Sequence, residues 1–256
     1  MPKLDPRFVT TPLAHRALHD VTDGRPENSR AAIRAAIDHG YGIEIDLQLS
    51  RDGVAMVFHD YQLERLAEAK GAVQQRTAAE LAGIRLKGGD EGIPTFAEVL
   101  ALVAGRVPVL VEIKDQDGVM GPNIGPLEEA AAQDVAGYDG ALAFMSFNPH
   151  SVAKMAEVAP DVPRGIVTDG YTAQDWQLLK PAVRDELRQI AEYDRVGASF
   201  ISHQASDLDR PRVAELKATG AHVFCWTIRS AEQEAIARQV AENVTFEGYF
   251  AAIPPA

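Results

Sequence analysis

Short runs of apolar residues alternate along the chain with longer segments in which apolar residues recur every three or four positions. The short runs are typical of buried strands, and the longer segments are typical of amphipathic helices. Strand patterns lie at 12–16, 41–49, 54–60, 107–114, 141–147, 164–168, 198–203, 221–228 and 244–250, and the clearest helical patterns lie at 30–40, 94–105, 149–158, 209–220 and 230–241. About eight strands that alternate with helices predict a parallel sheet closed into a (β/α)8 TIM barrel. An open dinucleotide-binding sheet is disfavoured because no glycine-rich phosphate loop follows the first strand.

The chain contains no repeat of fixed period, low-complexity tract or linker, so we predict a single domain over residues 1–256. Hydrophobic residues make up 46% and charged residues 24% of the sequence, as in ordinary globular proteins. The 25 basic and 37 acidic residues leave a net charge of −12, which argues against nucleic acid or anionic lipid as a partner. An anionic substrate would need a local positive patch or a metal ion.

The compartment is predicted from two features. A single cysteine, Cys225, cannot form an intrachain disulfide, in agreement with a reducing compartment. The N-terminal stretch "MPKLDPRFVTTPLAHRALHD" lacks the apolar core of a signal peptide, and no run approaches the roughly 20 apolar residues of a membrane span. We therefore expect a soluble cytoplasmic protein without a stable membrane anchor. The sequence leaves open whether the chain forms a homo-oligomer.

The stretch "GYGIEIDLQLSRDGVAMVFHD" places two acids, Glu44 and Asp46, inside an apolar strand pattern. Side chains of a strand alternate between its two faces, so both acids share one face and the isoleucines share the other. Buried carboxylates are rarely left unpaired. Because the C-terminal ends of the strands carry the active site of such barrels, both acids are predicted to face a shared cavity.

A third acid, Glu112, occupies an equivalent place in "VPVLVEIK", two residues before Lys114. Three carboxylates at neighbouring strand ends form a candidate site for Mg²⁺ or Ca²⁺, since both ions prefer oxygen ligands. The alternative is structural: each acid taken alone could pair with a buried arginine or lysine.

Two histidines, His15 in "AHR" and His59 in "FHD", also lie where strand patterns end. Histidine titrates near neutral pH, so they are candidates for a general acid and a general base, although a lone histidine in such a place is more often structural. Arg16 and Lys114 supply positive charge suited to phosphate oxygens. Together these side chains predict cleavage of a phosphodiester.

The stretch "AHR…PENSRAAIRAAIDHGYGIEIDLQLSRDGVAMVFHDYQLERL" resembles the signature of glycerophosphodiester phosphodiesterases. The motifs "GIPTFAEVL", "VEIK", "SFNP" and "CWTI" follow in the order typical of that family, across nearly the whole chain. The resemblance implies a TIM barrel with a small insertion after the second strand, here residues 60–105.

The resemblance also implies an activity: hydrolysis of small glycerophosphodiesters to sn-glycerol 3-phosphate and an alcohol such as choline or ethanolamine. The glycerol 2-hydroxyl would attack the phosphorus, and water would then open the cyclic phosphate. The roles implied are one divalent cation held by Glu44, Asp46 and Glu112, an acid/base pair of His15 and His59, phosphate binding by Arg16 and Lys114, and a pocket wall at Trp226. Trp226 could equally be an ordinary core aromatic, and Asn28 of "PENS" is predicted to be only a helix cap.

The chain departs from the family pattern in two places. The loop at 17–26 is longer than usual. The tail, which in the family usually reads like Val-Asp-Gly-Ile-Ile-Thr-Asp, is here "VTFEGYFAAIPPA" and lacks the final aspartate. His203 lies at a late strand end and is a further candidate for contact with substrate.

Other activities stay open. A phospholipase D-like cleavage of lysophospholipids or sphingomyelin would favour an apolar rim beside the pocket. A non-catalytic phosphodiester-binding barrel would be expected to lack one of the seven core residues, yet all seven are present. A metal-dependent isomerase or aldolase would not need both histidine motifs.

Overall fold

The computed structural model describes residues 2–254 and shows a closed (β/α)8 barrel. The first strand of the chain pairs in parallel with both the second and the last strand, so the ring has no open edge. The nine strands seen in this part of the chain are β1 Leu13–Ala14, β2 Gly42–Leu49, β3 Ala55–Val57, β4 Val109–Ile113, β5 Leu142–Ser146, β6 Arg164–Thr168, β7 Phe200–Gln204, β8 His222–Ile228 and β9 Asn243–Phe246. Eight of them form the barrel, and β3 adds to β2 in the antiparallel sense.

The helices lie between the strands and cover the outside of the barrel. Ser29 caps the first long helix, and Thr95 with Glu98 forms a capping box at the start of another, as polar residues before apolar helical runs favour. The bounds are α1 Arg7–Thr10, α2 Arg30–Asp38, α3 Ala78–Ala82, α4 Phe96–Val103, α5 Pro126–Asp134, α6 Pro149–Val158, α7 Pro181–Arg188, α8 Pro211–Ala218 and α9 Ala231–Ala237.

The barrel interior is filled with apolar side chains at its N-terminal end. Leu13, Leu110, Phe200 and Phe224 point inward from four strands, and Phe8 of helix α1 packs against them. The sequence pattern did not predict α1, because four residues are too few to show a period. These packed apolar side chains leave only the C-terminal end of the barrel interior for polar side chains.

Strand β3 and the residues between it and α4 build a small unit with its own core, formed by Met56, Phe58, Leu63, Ala67, Val73, Leu81, Leu86 and Ile93. Helix α4, in contrast, packs on the main core of the barrel. We propose that this unit is the insertion after the second strand, that it ends before α4, and that the rest of the chain is one domain.

We find no helix among the described residues with the length and apolar character needed to cross a membrane.

Candidate active site

The three predicted acids meet at the C-terminal end of the barrel. The register of β2 and β4 places Asp46 directly beside Glu112, and Glu44 lies two residues earlier on the same face. One carboxylate oxygen from each of Glu44, Asp46 and Glu112 lies within 4.8 Å of the others, and all three side chains are buried. The strand alternation is therefore sufficient to bring three acids into one cluster.

The cluster carries more negative charge than its neighbours neutralise. The Nζ atom of Lys114 lies 2.8 Å from an oxygen of Asp46 and 2.8 Å from an oxygen of Glu112, and Arg16 Nε is 3.8 Å from Asp46. Burial opposes the charge of Asp46, but Lys114, His59 and Arg16 outweigh it and lower the pKa of Asp46. Two cations thus face three acids.

Glu44 is the least compensated acid of the cluster. Burial, followed by the charges of Asp46 and Glu112, raises the pKa of Glu44 well above its usual value. Its carboxylate accepts a hydrogen bond from the backbone N–H of Arg16 at 2.9 Å, where the chain turns with a positive φ of 52°. Three buried hard oxygen donors with an uncompensated charge fit a divalent cation such as Mg²⁺ or Ca²⁺.

His15 is held by a carboxylate that the sequence reasoning did not single out. Its Nδ1 atom lies 2.5 Å from Oε2 of Glu247, the residue that follows β9. Burial is the largest influence on His15 and lowers its pKa, so the imidazole is neutral near neutral pH. A neutral ring that donates through Nδ1 to Glu247 leaves Nε2 free to accept a proton.

Glu247 directly follows β9 and precedes Gly248. Inward-facing positions of β9 follow a period of two from Asn243 through Thr245 to Glu247, and this alternation is the signal that could have identified it. The hydrogen bond from His15 and the nearby His19, 3.7 Å away, lower the pKa of Glu247, and Arg229 Nε lies 2.8 Å from its other oxygen. The last loop therefore does supply a carboxylate to the site.

His59 belongs to a second charged chain that crosses the site. Its Nδ1 atom lies 2.7 Å from Asp60, and Arg65 Nε donates to the other oxygen of Asp60 at 2.6 Å. The same guanidinium donates to Glu27 at 2.6 Å, and Glu27 pairs with Arg16 at 2.5 Å. Arg65 thus links the surroundings of His59 to those of Arg16.

Asn28 has a different role from the one predicted. The cap of α2 is Ser29, whose hydroxyl accepts from the N–H of Ala32. The Asn28 amide instead donates to Asp46 at 2.9 Å, and its own backbone has a positive φ of 60°. The prediction of a simple helix cap was therefore wrong. The residue type could not distinguish the two roles, because asparagine is common both at helix caps and among side chains that support a site.

A cavity of about 450 Å³ opens beside this cluster. His59, Glu112 and Lys114 line one side of it, and the other side is formed by Tyr61, Asp115, Met120, Phe147 and Trp176. The cavity therefore joins titratable groups suited to phosphodiester chemistry to a wall of aromatic rings.

The sequence model of the glycerophosphoryl diester phosphodiesterase family matches residues 15–245. The chain belongs to this family. Membership confirms the family resemblance and the enzyme class predicted from the sequence, and the eight-stranded ring confirms the TIM barrel.

Sequence relatives agree with this membership, and a solved structure agrees with the fold. A glycerophosphodiester phosphodiesterase of Caldanaerobacter subterraneus is 32% identical over 163 residues, which cover 60% of this chain and 65% of that protein. YhdW of Bacillus subtilis, provisionally named a glycerophosphodiester phosphodiesterase, is 24% identical over 87% of this chain and 88% of its own length. An Oleispira antarctica phosphodiesterase, solved with the product sn-glycerol 3-phosphate, superposes with a TM-score of 0.75 at 22% identity, over 93% of this chain and 92% of that one. At 22% identity, the similarity to the Oleispira antarctica structure supports the fold alone.

Two other predicted residues of this family member lie away from the acid cluster. Trp226 packs edge-on against Phe147, with ring centroids 5.6 Å apart, and its indole N–H donates to the carbonyl of Ser202. Within the described residues it stands behind the cavity wall and is not part of the lining. His203 is fully buried on the outer face of β7, where it contacts Thr168 and Asp207. His203 therefore does not face the cavity.

Proposed function

We propose that this enzyme hydrolyses glycerophosphodiesters to sn-glycerol 3-phosphate and an alcohol, with one divalent cation held by Glu44, Asp46 and Glu112. The observation that carries the proposal is the buried triple-carboxylate cluster, whose member Glu112 lines the same cavity as His59 and Lys114. Mg²⁺ and Ca²⁺ both suit these ligands, and a bound cation would polarise the phosphoryl oxygens and neutralise charge.

The reaction would begin with attack of the glycerol 2-hydroxyl on phosphorus, because an intramolecular nucleophile needs no further positioning. We assign the base to His15, since it is neutral and its Nδ1 is held by Glu247. His59, on the cavity wall, would protonate the leaving oxygen as the bond from phosphorus to the alcohol breaks. Arg16 and Lys114 would bind the phosphate oxygens and stabilise the added charge.

Water would then open the cyclic phosphate with the proton movements reversed. His59, now neutral, takes a proton from water, and His15, now protonated, returns one to the 2-oxygen. Both histidines end in their starting forms, so one cycle is complete.

The direct test is release of glycerol 3-phosphate from glycerophosphocholine by the purified protein, with Mg²⁺, with Ca²⁺ and with EDTA. The proposal expects release with at least one metal and none with EDTA. Release that is unaffected by EDTA, or no release by folded metal-loaded protein, would contradict it.

Glu247→Gln is expected to lower kcat on the order of 10²-fold or more. The glutamine amide can donate to Nδ1 of His15, which favours the tautomer with the proton on Nε2 and blocks that atom as a base. Glu247→Asp keeps an acceptor and is expected to retain more activity than the glutamine variant. Steady-state kinetics with glycerophosphocholine measure both.

A matched control exists at the opposite end of the barrel. Glu242 contacts Nδ1 of His222 at the same 2.5 Å, but His222 begins β8 and lies far from the acid cluster. Glu242→Gln is therefore expected to leave kcat unchanged. Equal losses in Glu247→Gln and Glu242→Gln would show that the effect is on folding and not on the orientation of His15.

Arg65→Ala is expected to lower kcat/KM by about 10- to 100-fold, because Asp60 and Glu27 both lose the guanidinium that orients them. Arg65→Lys should restore little of the lost kcat/KM, since one ammonium cannot bridge two carboxylates as the planar guanidinium does. Added guanidinium ion should restore activity to Arg65→Ala.

Arg51→Ala is the control for this variant. Arg51 pairs with Glu80 of the inserted unit at 3.4 Å and contacts none of the site residues described above. Unchanged activity in Arg65→Ala, or a guanidinium effect of the same size in the Arg51 variant, would remove Arg65 from the role of a positioning residue.

A second activity is favoured by one observation, an apolar rim near the cavity. Tyr61 lines the cavity and is 41% exposed, and Val119 and Leu178, the latter close to the same loop, are 47% and 73% exposed. Such a rim suits an acyl chain, so phospholipase D-like cleavage of lysophosphatidylcholine is the second candidate. Parallel assays with glycerophosphocholine and lysophosphatidylcholine would rank the two substrates.

A further inference from the structure

The cavity beside His59 has a second half for which the proposed reaction gives no role. Tyr61, Phe147 and Trp176 present aromatic surface there, and Met120 adds a thioether. Since His59 and Lys114 line the same cavity, whatever fills the aromatic half lies next to the leaving oxygen of the proposed reaction.

The aromatic rings are held in place by specific contacts. The Trp176 indole N–H donates to Asp169 at 2.7 Å, and the Trp176 and Phe147 centroids lie 5.0 Å apart at 60°. Trp226 supports Phe147 from behind, at 85°. A wall fixed in this way loses little conformational entropy when a ligand binds to it.

Asp115 adds a carboxylate to the same half of the cavity, and burial raises the pKa of this carboxyl from its usual value. Its side chain is 5% exposed, and its carboxylate accepts from the amide of Asn148 at 2.8 Å and from the backbone N–H of Met120 at 3.2 Å. Both donors are neutral, whereas the other two carboxylates of the lining, Asp60 and Glu112, are paired with Arg65 and Lys114. Among the described residues, Asp115 is the acid of this lining that lacks a cationic partner.

Aromatic faces next to a carboxylate attract alkylammonium ions, through the ring quadrupole and through charge. A neutral polyol gains neither attraction, and an anionic headgroup would be repelled by Asp115. We propose that Tyr61, Phe147, Trp176 and Asp115 form the subsite for the leaving alcohol, and that it selects alcohols bearing an ammonium or trimethylammonium group. This inference rests on the proposed function, and it holds for either an acylated or a free glycerol moiety.

The sharpest test compares two diesters of equal shape. Glycerophosphocholine and its analogue with 3,3-dimethylbutan-1-ol differ at the subsite only in the exchange of the quaternary nitrogen for carbon. The wild-type protein should favour the cationic diester by about 10-fold in kcat/KM. Because the two alcohols also differ as leaving groups, the decisive quantity is the change of this ratio between wild type and variants.

Asp115→Asn and Trp176→Leu should each reduce the preference for the cationic diester several-fold. Asp117→Asn is the matched control, since Asp117 lies on the same loop and contacts Val119 and Asn123 outside the cavity lining. Asp117→Asn should change the ratio less than either subsite variant, because the charge of Asp117 acts on Tyr61 and Asp115 from outside the lining. The same ratio in wild type and both subsite variants, with both diesters cleaved, would overturn the subsite and leave the proposed function intact.

If neither diester is cleaved, the proposed function is overturned. A binding measurement still tests the subsite in that case. Tetramethylammonium should quench the tryptophan fluorescence of the wild-type protein in a saturable manner, and Asp115→Asn should weaken this binding by about 10-fold. Thermal melts of both proteins verify that the variant is folded. No saturable quenching of the wild-type protein, or equal affinity in the variant, would contradict the proposal.

Discussion

Replacement of His15 or His59 by alanine is expected to lower kcat by about 10²- to 10⁴-fold while binding of the divalent cation stays nearly unchanged. Each histidine transfers a proton in both halves of the proposed cycle, and neither supplies one of the three clustered oxygens. Steady-state kinetics and calorimetric titration with Mg²⁺ or Ca²⁺ measure the two properties separately.

The pH dependence of the wild-type protein follows from the same assignment. Burial lowers the pKa of His15, so its neutral form persists below the usual histidine value of about 6.5. Activity should therefore be lost on acidification only below that value. The loss of activity is caused by protonation of His15, because the protonated imidazole cannot accept a proton from the 2-hydroxyl.

His39→Ala is the control for the histidine variants. His39 caps the C-terminus of helix α2, is exposed and stacks on Tyr41, on the outside of the barrel. It should keep full activity. Full activity in His15→Ala or in His59→Ala would remove that histidine from the mechanism, and loss of metal binding in either variant would show that the acid cluster had been disturbed.

Glu44→Gln is expected to weaken binding of the divalent cation by more than 10²-fold, since even supporting residues of metal sites cost 10- to 100-fold. The same change should preserve or raise the Tm of the metal-free protein. The raised pKa of Glu44 means that its charged form costs folding free energy, and this cost grows as pH rises through the folded-state pKa. Glutamine removes that charge and still accepts the hydrogen bond from Arg16.

The measurement is thermal unfolding with and without Mg²⁺ or Ca²⁺. The wild-type protein should gain Tm with metal, and Glu44→Gln should lose this gain without losing metal-free stability. Glu128→Gln provides a buried carboxylate away from the cluster, where the side chain accepts from Gly125 and Ser151. It should keep the metal-dependent gain. An equal gain in Glu44→Gln and the wild-type protein would exclude Glu44 as a ligand.

The parts of the site that depend on strand alternation could be predicted from the sequence. Glu44 and Asp46 lie two residues apart on one face of β2, and Glu112 precedes Lys114 in the same phase on β4. Once a parallel barrel is assumed, register and alternation place these residues at one end and on the inside. The same rule accounts for His203, since inward positions of β7 are Phe200 and Ser202 and the histidine falls on the outer face.

The contacts that cross from one loop to another could not be predicted in this way. Arg65 joins Asp60 to Glu27, and Glu247 reaches His15 from the opposite end of the chain. The alternation of β9 indicates that Glu247 faces inward, but not which residue it contacts. Polar residues in loops carry no period, so neither pairing leaves a signal in a single sequence. Phe147 and Trp176 likewise come from different loops, and only the folded chain shows that they share a cavity wall.

The most direct test of the central claim is a ³¹P NMR time course of glycerophosphocholine with the metal-loaded protein. Attack by the 2-hydroxyl with expulsion of the alcohol predicts that the diester signal is replaced by that of glycerol 3-phosphate, with free choline in equal amount. The cyclic phosphate should be consumed as an intermediate when it is supplied in place of the diester. Formation of phosphocholine and glycerol, or the same reaction after removal of the metal, would contradict the account.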